Sequence, residues 1–181
     1  SDVPRPRPDL LVLSAPGLGD EIPAWKRSLA PVLSRIFPKM RIPNGLPPDG
    51  LSRDPSVRAQ ADADPLNTAA STARFGAEAF AEQARVNAEL RDLRAMPMPT
   101  YVFHGSDDQI VPASASAVFE GKDGATRHLH DGLRHECHHE PEHEHVLAEV
   151  IAWLAAQGVP TRGASPVHHD DDHDEHHGAH P

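Results

Sequence analysis

The sequence predicts an α/β architecture: parallel strands with crossover helices, a helical cap insertion, and a disordered His/Asp-rich tail. Three observations carry that expectation. Two short apolar runs, Asp9-Leu-Leu-Val-Leu-Ser-Ala-Pro16 and Pro99-Thr-Tyr-Val-Phe-His104, have the continuous hydrophobicity of strands buried on both faces. About eighty residues of helical pattern separate them, too many for a simple crossover and enough for a cap. Beyond Ser165 almost nothing apolar is left to bury.

Taken in order, Ser1-Asp-Val-Pro-Arg-Pro-Arg-Pro8 reads as an extended interior loop, because alternating prolines favour polyproline geometry. The first strand follows and ends at Pro16. From Ile22 to Phe37, Trp25, Leu29, Val32, Leu33 and Ile36 recur at helical spacing and form one apolar stripe despite Pro31. Ser52-Arg-Asp-Pro55 offers a capping residue and a proline for the first turn of a second helix. Thr72 to Met96 is rich in Ala, Glu, Leu and Arg, and predicts a long helix packed through Phe75, Ala79, Phe80, Ala84, Leu90 and Leu93. After the second strand, Pro112 to Glu120 predicts a short helix and Thr126 to His130 a third strand nearer a sheet edge. Pro141 to Ala156 predicts a final helix with Val146, Val150, Ile151 and Leu154 facing inward. The expected divisions are 1–16, one core strand; 17–97, cap and return helix; 98–157, remaining core; and 158–181, linker and tail.

The formal net charge is -10. Residues 165–181 hold five acidic side chains and no basic one, so the remainder is only mildly acidic. Scattered arginines and eight aromatics in all provide neither a basic face nor stacking platforms, which argues against nucleic-acid binding. The single cysteine, Cys137, excludes an internal disulfide framework. With neither a signal peptide nor an apolar run of membrane-spanning length, the cytoplasm is the expected compartment.

The chemistry concentrates in two places. His104-Gly-Ser-Asp-Asp108 lies at the end of the second strand, and His135 lies in Gly132-Leu-Arg-His-Glu136. A carboxylate at the end of a rigid strand can accept the Nδ1–H of an imidazole and fix its tautomer, as the acid and base of a Ser-His-Asp triad require. No Gly-x-Ser-x-Gly turn is present to supply the serine. Together with Leu10-Leu-Val-Leu-Ser-Ala-Pro16, Leu51-Ser-Arg-Asp-Pro55, Ala63-Asp-Pro-Leu66 and Glu140-Pro-Glu142, these segments resemble the C-terminal two-thirds of monoacylglycerol lipase or lysophospholipase-like members of the α/β-hydrolase superfamily. The similarity runs from about Pro8 to Gln157.

That resemblance implies the C-terminal part of an α/β-hydrolase fold. It implies a serine ester hydrolase for lipids with one acyl chain, with Asp108 as the orienting acid, Asp107 as runner-up, and His135 as general base and acid. It needs no cofactor. Such folds often run to roughly 200–250 residues; the expectation is therefore a fragment, inactive alone, with serine and oxyanion donors upstream of Ser1. The resemblance also suggests that Trp25, Leu29, Val32, Leu33, Ile36, Phe37 and Met40 face lipid, with transient membrane-surface contact through the cap.

Several competing patterns are set aside. His135-Glu-Cys-His-His139 matches the His-Glu-x-x-His zinc pattern, but Gly132 and Pro141 leave little room for the regular helix it needs. Cys137, two residues from His135 in a loop, is read as a small, partly buried thiol. Ser14 lacks the glycines of a strained nucleophile turn and is read as a pocket-floor residue. Six histidines among the tail's five carboxylates suit incidental divalent-metal capture. A non-catalytic metal-binding or interaction protein, using the histidine-rich loop and tail, is the alternative function.

Overall fold

A computed structural model describes residues 8–47 and 49–160. The expected polyproline start and the disordered tail therefore lie outside the described residues, apart from positions 8 and 158–160. A three-stranded parallel sheet forms the centre, with β1 at Leu11–Ser14, β4 at Ala95–Gly105 and β5 at Asp123–His130, in the order β1-β4-β5. Leu11 pairs with Thr100 and Ser14 with Phe103; across the other edge of β4, Phe103 pairs with His128 and Gly105 with His130. All three strands thus deliver their C-terminal ends to one rim.

Alternation along β4 sorts its side chains between two faces. Tyr101 and Phe103 pack with Leu133, Cys137 and Val146, flanked by Val150 and Trp153 of the last helix, α4, His143–Ala156. Val102 points the other way and packs with Phe119 and with Leu90 of α3, Ala73–Asp92. The sheet is therefore covered on both sides, which explains why residues 100–105 are all buried.

Local chemistry accounts for the helix starts. Asp54 accepts the Ser56 amide at 2.8 Å and Pro55 fills the first position of α2, Pro55–Ala63. The Thr72 hydroxyl accepts the Phe75 amide at 3.1 Å and caps α3. α1, Ala24–Ile36, continues through Pro31 and packs against α3, where the Arg27 guanidinium lies 4.9 Å over the Phe80 ring. Between them Arg41–Pro43, β2, pairs antiparallel with Ala70–Thr72, β3.

Some expectations are revised. The long helix stops at Asp92 rather than Met96, because Pro97 and Pro99 favour an extended chain and β4 begins at Ala95. Its N-terminal half is not packed on the sheet, and Phe75 is 62% exposed. Residues 113–119 form a 3₁₀ helix. In α4, Trp153 packs against Tyr101 at a ring separation of 5.4 Å, whereas Ile151 is exposed. The stripe on α1 exists but faces outward, with Trp25, Leu29, Val32, Ile36 and Phe37 all exposed. Among the described residues no helix is long and apolar enough to cross a membrane.

Candidate active site

The chain leaves β4 at Gly105 and turns at once, and the turn aims Asp108 back toward the rim. Its side chain is fully buried and fully engaged. Oδ1 accepts the Ile110 and Val111 amides at 2.8 and 2.9 Å. Oδ2 accepts Nδ1–H of His135 at 2.8 Å and Nε2–H of His104 at 3.0 Å. Burial pushes this carboxyl up, but the donors, led by His104 and His135, more than offset it and hold it well below the usual carboxylate range.

His135 arrives on the loop that follows β5. Gly132, at φ 70, makes the left-handed turn that a residue with a side chain would enter under strain. The loop then runs directly over Gly105. A Cβ at position 105 would stand 2.1 Å from the Leu133 carbonyl oxygen and 2.3 Å from that of Arg134, so only glycine allows the approach. The exposed Asp107 contributes a backbone tether, its amide donating to the Leu133 carbonyl at 2.9 Å. Asp108, not its neighbour, meets the imidazole. With Nδ1 protonated toward Asp108, the lone pair of His135 resides on Nε2, and the side chain is 24% exposed, enough to meet a reactant.

A second buried carboxylate fixes the far end of this loop. Glu140 is completely buried, and its Oε1 accepts the Arg134 amide at 2.7 Å. Its Oε2 accepts the Arg53 amide at 3.0 Å and the Arg53 Nε–H at 3.1 Å, with the Ser52 hydroxyl 3.4 Å away. The Ser52 hydroxyl also lies 2.9 Å from the His139 carbonyl. The amides of His135 and Glu136 donate to the carbonyls of Gly50 and Leu51. The segment before α2 therefore holds the loop that carries His135.

His104 is a residue that sequence reasoning passed over. It is entirely buried, with Nε2 facing both Asp108 Oδ2 and the Val111 carbonyl, each at 3.0 Å, and Nδ1 facing the Ser116 hydroxyl at 3.0 Å. Two acceptors at Nε2 require the proton there, while the Ser116 hydroxyl that faces Nδ1 also donates to the Ala113 carbonyl at 3.0 Å. The i,i+4 spacing of His104 and Asp108 around a turn was the available signal. Glu140 had been noted only as part of a matching segment.

The other candidates are placed plainly. Cys137 is fully buried, its thiol pushed up to about 12 by burial and 3.3 Å from the Arg134 carbonyl, so it has no thiolate to offer at neutral pH. Only Cys137–His139 form a helical turn, of the 3₁₀ kind, and His135 is committed to Asp108; the zinc-protease pattern has no helix to work on. Ser14 is partly buried at the rim, its hydroxyl 3.4 Å from His138 Nδ1. A cavity of about 750 Å³ lies between α1, α3 and Pro112–Ala115, and neither Asp108 nor His135 lines it.

Known proteins share this arrangement of strands and helices. The family model described as serine aminopeptidase, S33, matches residues 3–142. The chain belongs to this family of α/β-hydrolases. It is similar to a monoacylglycerol lipase of Mycolicibacterium smegmatis, with 28% identity over 157 residues, which cover 81% of this chain and 53% of that protein. The crystal structure of Paleococcus ferrophilus monoacylglycerol lipase superposes with a TM-score of 0.73 at 28% identity, covering 82% of this chain and 59% of that one. A soluble variant of Saccharomyces cerevisiae monoglyceride lipase, at 23% identity and a TM-score of 0.62 over 74% of this chain and 47% of that one, shares the fold. The chain spans little more than half the length of the curated relative it matches.

Proposed function

We propose that this chain supplies the acid and base of a serine ester hydrolase acting on a lipid with one acyl chain, such as a monoacylglycerol or lysophospholipid. The observation that carries this reading is the 2.8 Å contact from His135 Nδ1 to an Asp108 carboxylate already anchored by two backbone amides. His135 Nε2 takes the proton of a serine hydroxyl as the oxygen attacks the ester carbonyl. The same nitrogen returns that proton to the leaving alcohol, giving an acyl-serine. Water, deprotonated by His135, then releases the fatty acid and restores the serine. Asp108 holds the imidazole in the productive tautomer and stabilises the imidazolium between these steps. Serine and oxyanion donors come, in this proposal, from residues outside the 181.

Residues 17–97 act as cap and return helix in the same proposal, and the outward apolar stripe of α1 supports contact with a lipid surface or acyl chain. The similarity to monoacylglycerol lipases over four-fifths of the chain supports the substrate class. A polypeptide extended by the upstream coding sequence should hydrolyse a monoacylglycerol and react with a serine-directed fluorophosphonate, whereas the 181-residue chain should do neither. Full hydrolysis by the extended His135→Ala variant, or labelling of Ser14 in the chain itself, would overturn the proposal.

A further inference from the structure

On the α4 face of the sheet, away from the Asp108–His135 pair, β5 and α4 bring together a second group of polar side chains. His128 and His130, two residues apart on β5, project from one face with rings stacked at 4.4 Å and 9°. Glu149 of α4 reaches between them: His128 Nδ1 lies 2.7 Å and His130 Nε2 3.8 Å from its Oε2. One helical turn earlier, His145 Nε2 holds the other carboxylate oxygen at 3.2 Å. Tyr101 Oη lies 3.5 Å from Oε2.

We propose that His128 Nδ1, His130 Nε2 and a carboxylate oxygen of Glu149 form a binding site for a divalent transition-metal ion, zinc above all. One ligand atom from each of the three residues lies within 4.8 Å of the other two. A tetrahedral zinc ion with ligands at about 2.0–2.2 Å needs them roughly 3.3–3.5 Å apart, a spacing bracketed by the 2.7 Å and 3.8 Å that separate His128 and His130 from Glu149 Oε2. Two imidazoles and a carboxylate suit zinc in ligand type, and the fourth position falls to water. His145 is the outer partner that orients a ligating carboxylate.

The hydrogen-bonded pair of His128 and Glu149 would be sufficient reason for those two residues, but it leaves His130 unexplained. The His130 side chain is 5% exposed, and among the described residues its buried Nε2 has no hydrogen-bond partner while aimed at the Glu149 carboxylate. A buried ring nitrogen left without a partner is destabilising, and a bound cation is the ligand that would satisfy it. None of the three ligands belongs to the Asp108–His135 pair, so the site stands independently of the ester-hydrolase proposal. Bound there, an ion would clamp α4 to β5.

The histidine-rich tail would obscure a titration, so the test uses the 181-residue chain with His168, His169, His173, His176, His177 and His180 replaced by asparagine. Calorimetry with Zn²⁺ should show saturable binding of one ion per chain. His128→Asn and Glu149→Gln should each weaken it at least roughly tenfold, and His145→Ala about tenfold, at unchanged near-ultraviolet circular dichroism. Co²⁺ in the unmodified site should give the intense visible bands of four-coordinate geometry, a readout that needs no variant to fold. Absence of one-per-chain binding, an affinity indifferent to His128→Asn, or a six-coordinate Co²⁺ spectrum signifying adventitious metal would each overturn the proposal.

Discussion

His104 and His135, 31 positions apart in the chain, donate to the same oxygen of Asp108, at 3.0 and 2.8 Å. One imidazole is sealed in the interior and the other reaches solvent. The buried ring fixes the carboxylate from behind while the exposed one uses it. Replacing His104 with Asn should lower stability by about 1–3 kcal/mol, because Ser116 and the Val111 carbonyl lose a buried partner. In the complete enzyme the same change should lower kcat by up to roughly 100-fold with little change in KM, as expected when a positioning residue lets a reacting group shift by about 1 Å. Urea unfolding and steady-state kinetics measure the two effects.

Asp108→Asn keeps the shape but turns an acceptor into a partial donor facing two N–H groups. The His135 tautomer is then wrong for catalysis, and hydrolysis by the complete enzyme should drop by roughly 10⁴-fold. Fluorophosphonate labelling should slow in parallel, since both depend on the same general base.

The pH dependence of stability follows from the depressed pKa of Asp108. A carboxyl held below its unfolded value, about 3.9, contributes stability that is fully present above that value and disappears as pH falls through the folded one. The stability gap between the native chain and Asp108→Asn should therefore stay constant from neutral pH to about pH 5 and shrink only in stronger acid. Chemical denaturation of both proteins across that range tests it; a gap that closes near neutrality would contradict the cause assigned.

Gly105→Ala inserts one methyl group where two backbone carbonyls already stand. Because the obstacle is backbone, no rotamer change can relieve it, and the loop bearing His135 must move. A destabilisation of about 3 kcal/mol or more is expected, together with a loss of hydrolysis in the complete enzyme. Gly17→Ala, where nothing lies within 4 Å, is the matched control and should be close to neutral.

These residues also mark what a sequence can disclose. β4 was legible because burial on both faces writes itself as an unbroken apolar run, and the cap of α2 because aspartate before proline has a local mechanism. The contact between Asp108 and His135 was legible through motif and resemblance. The β2–β3 ribbon was not, since three-residue strands carry no period. The apolar stripe of α1 was visible, but its outward direction depends on what α3 presents to it. His104 and Glu140 escaped for a different reason. Buried polar residues are justified only by their partners, and those of Glu140 include Ser52 and Arg53, 87 or 88 positions away.

Glu140→Ala should strand the amides of Arg53 and Arg134 without an acceptor, at a cost of about 1–3 kcal/mol each if water does not enter. Hydrogen exchange should quicken at both amides and at His135, while the Ile110 and Val111 amides bonded to Asp108 stay protected.

The reach of Glu140 has a consequence for the order in which the molecule assembles. Asp108 takes its place from residues 104 to 111, contacts that close small loops and form early. His135 waits for a junction across almost half the chain, whose closure entropy must first be overcome. During refolding the pocket around Asp108 should gain order while His135 is still unplaced, and the 2.8 Å contact between the two should be the last of these to form.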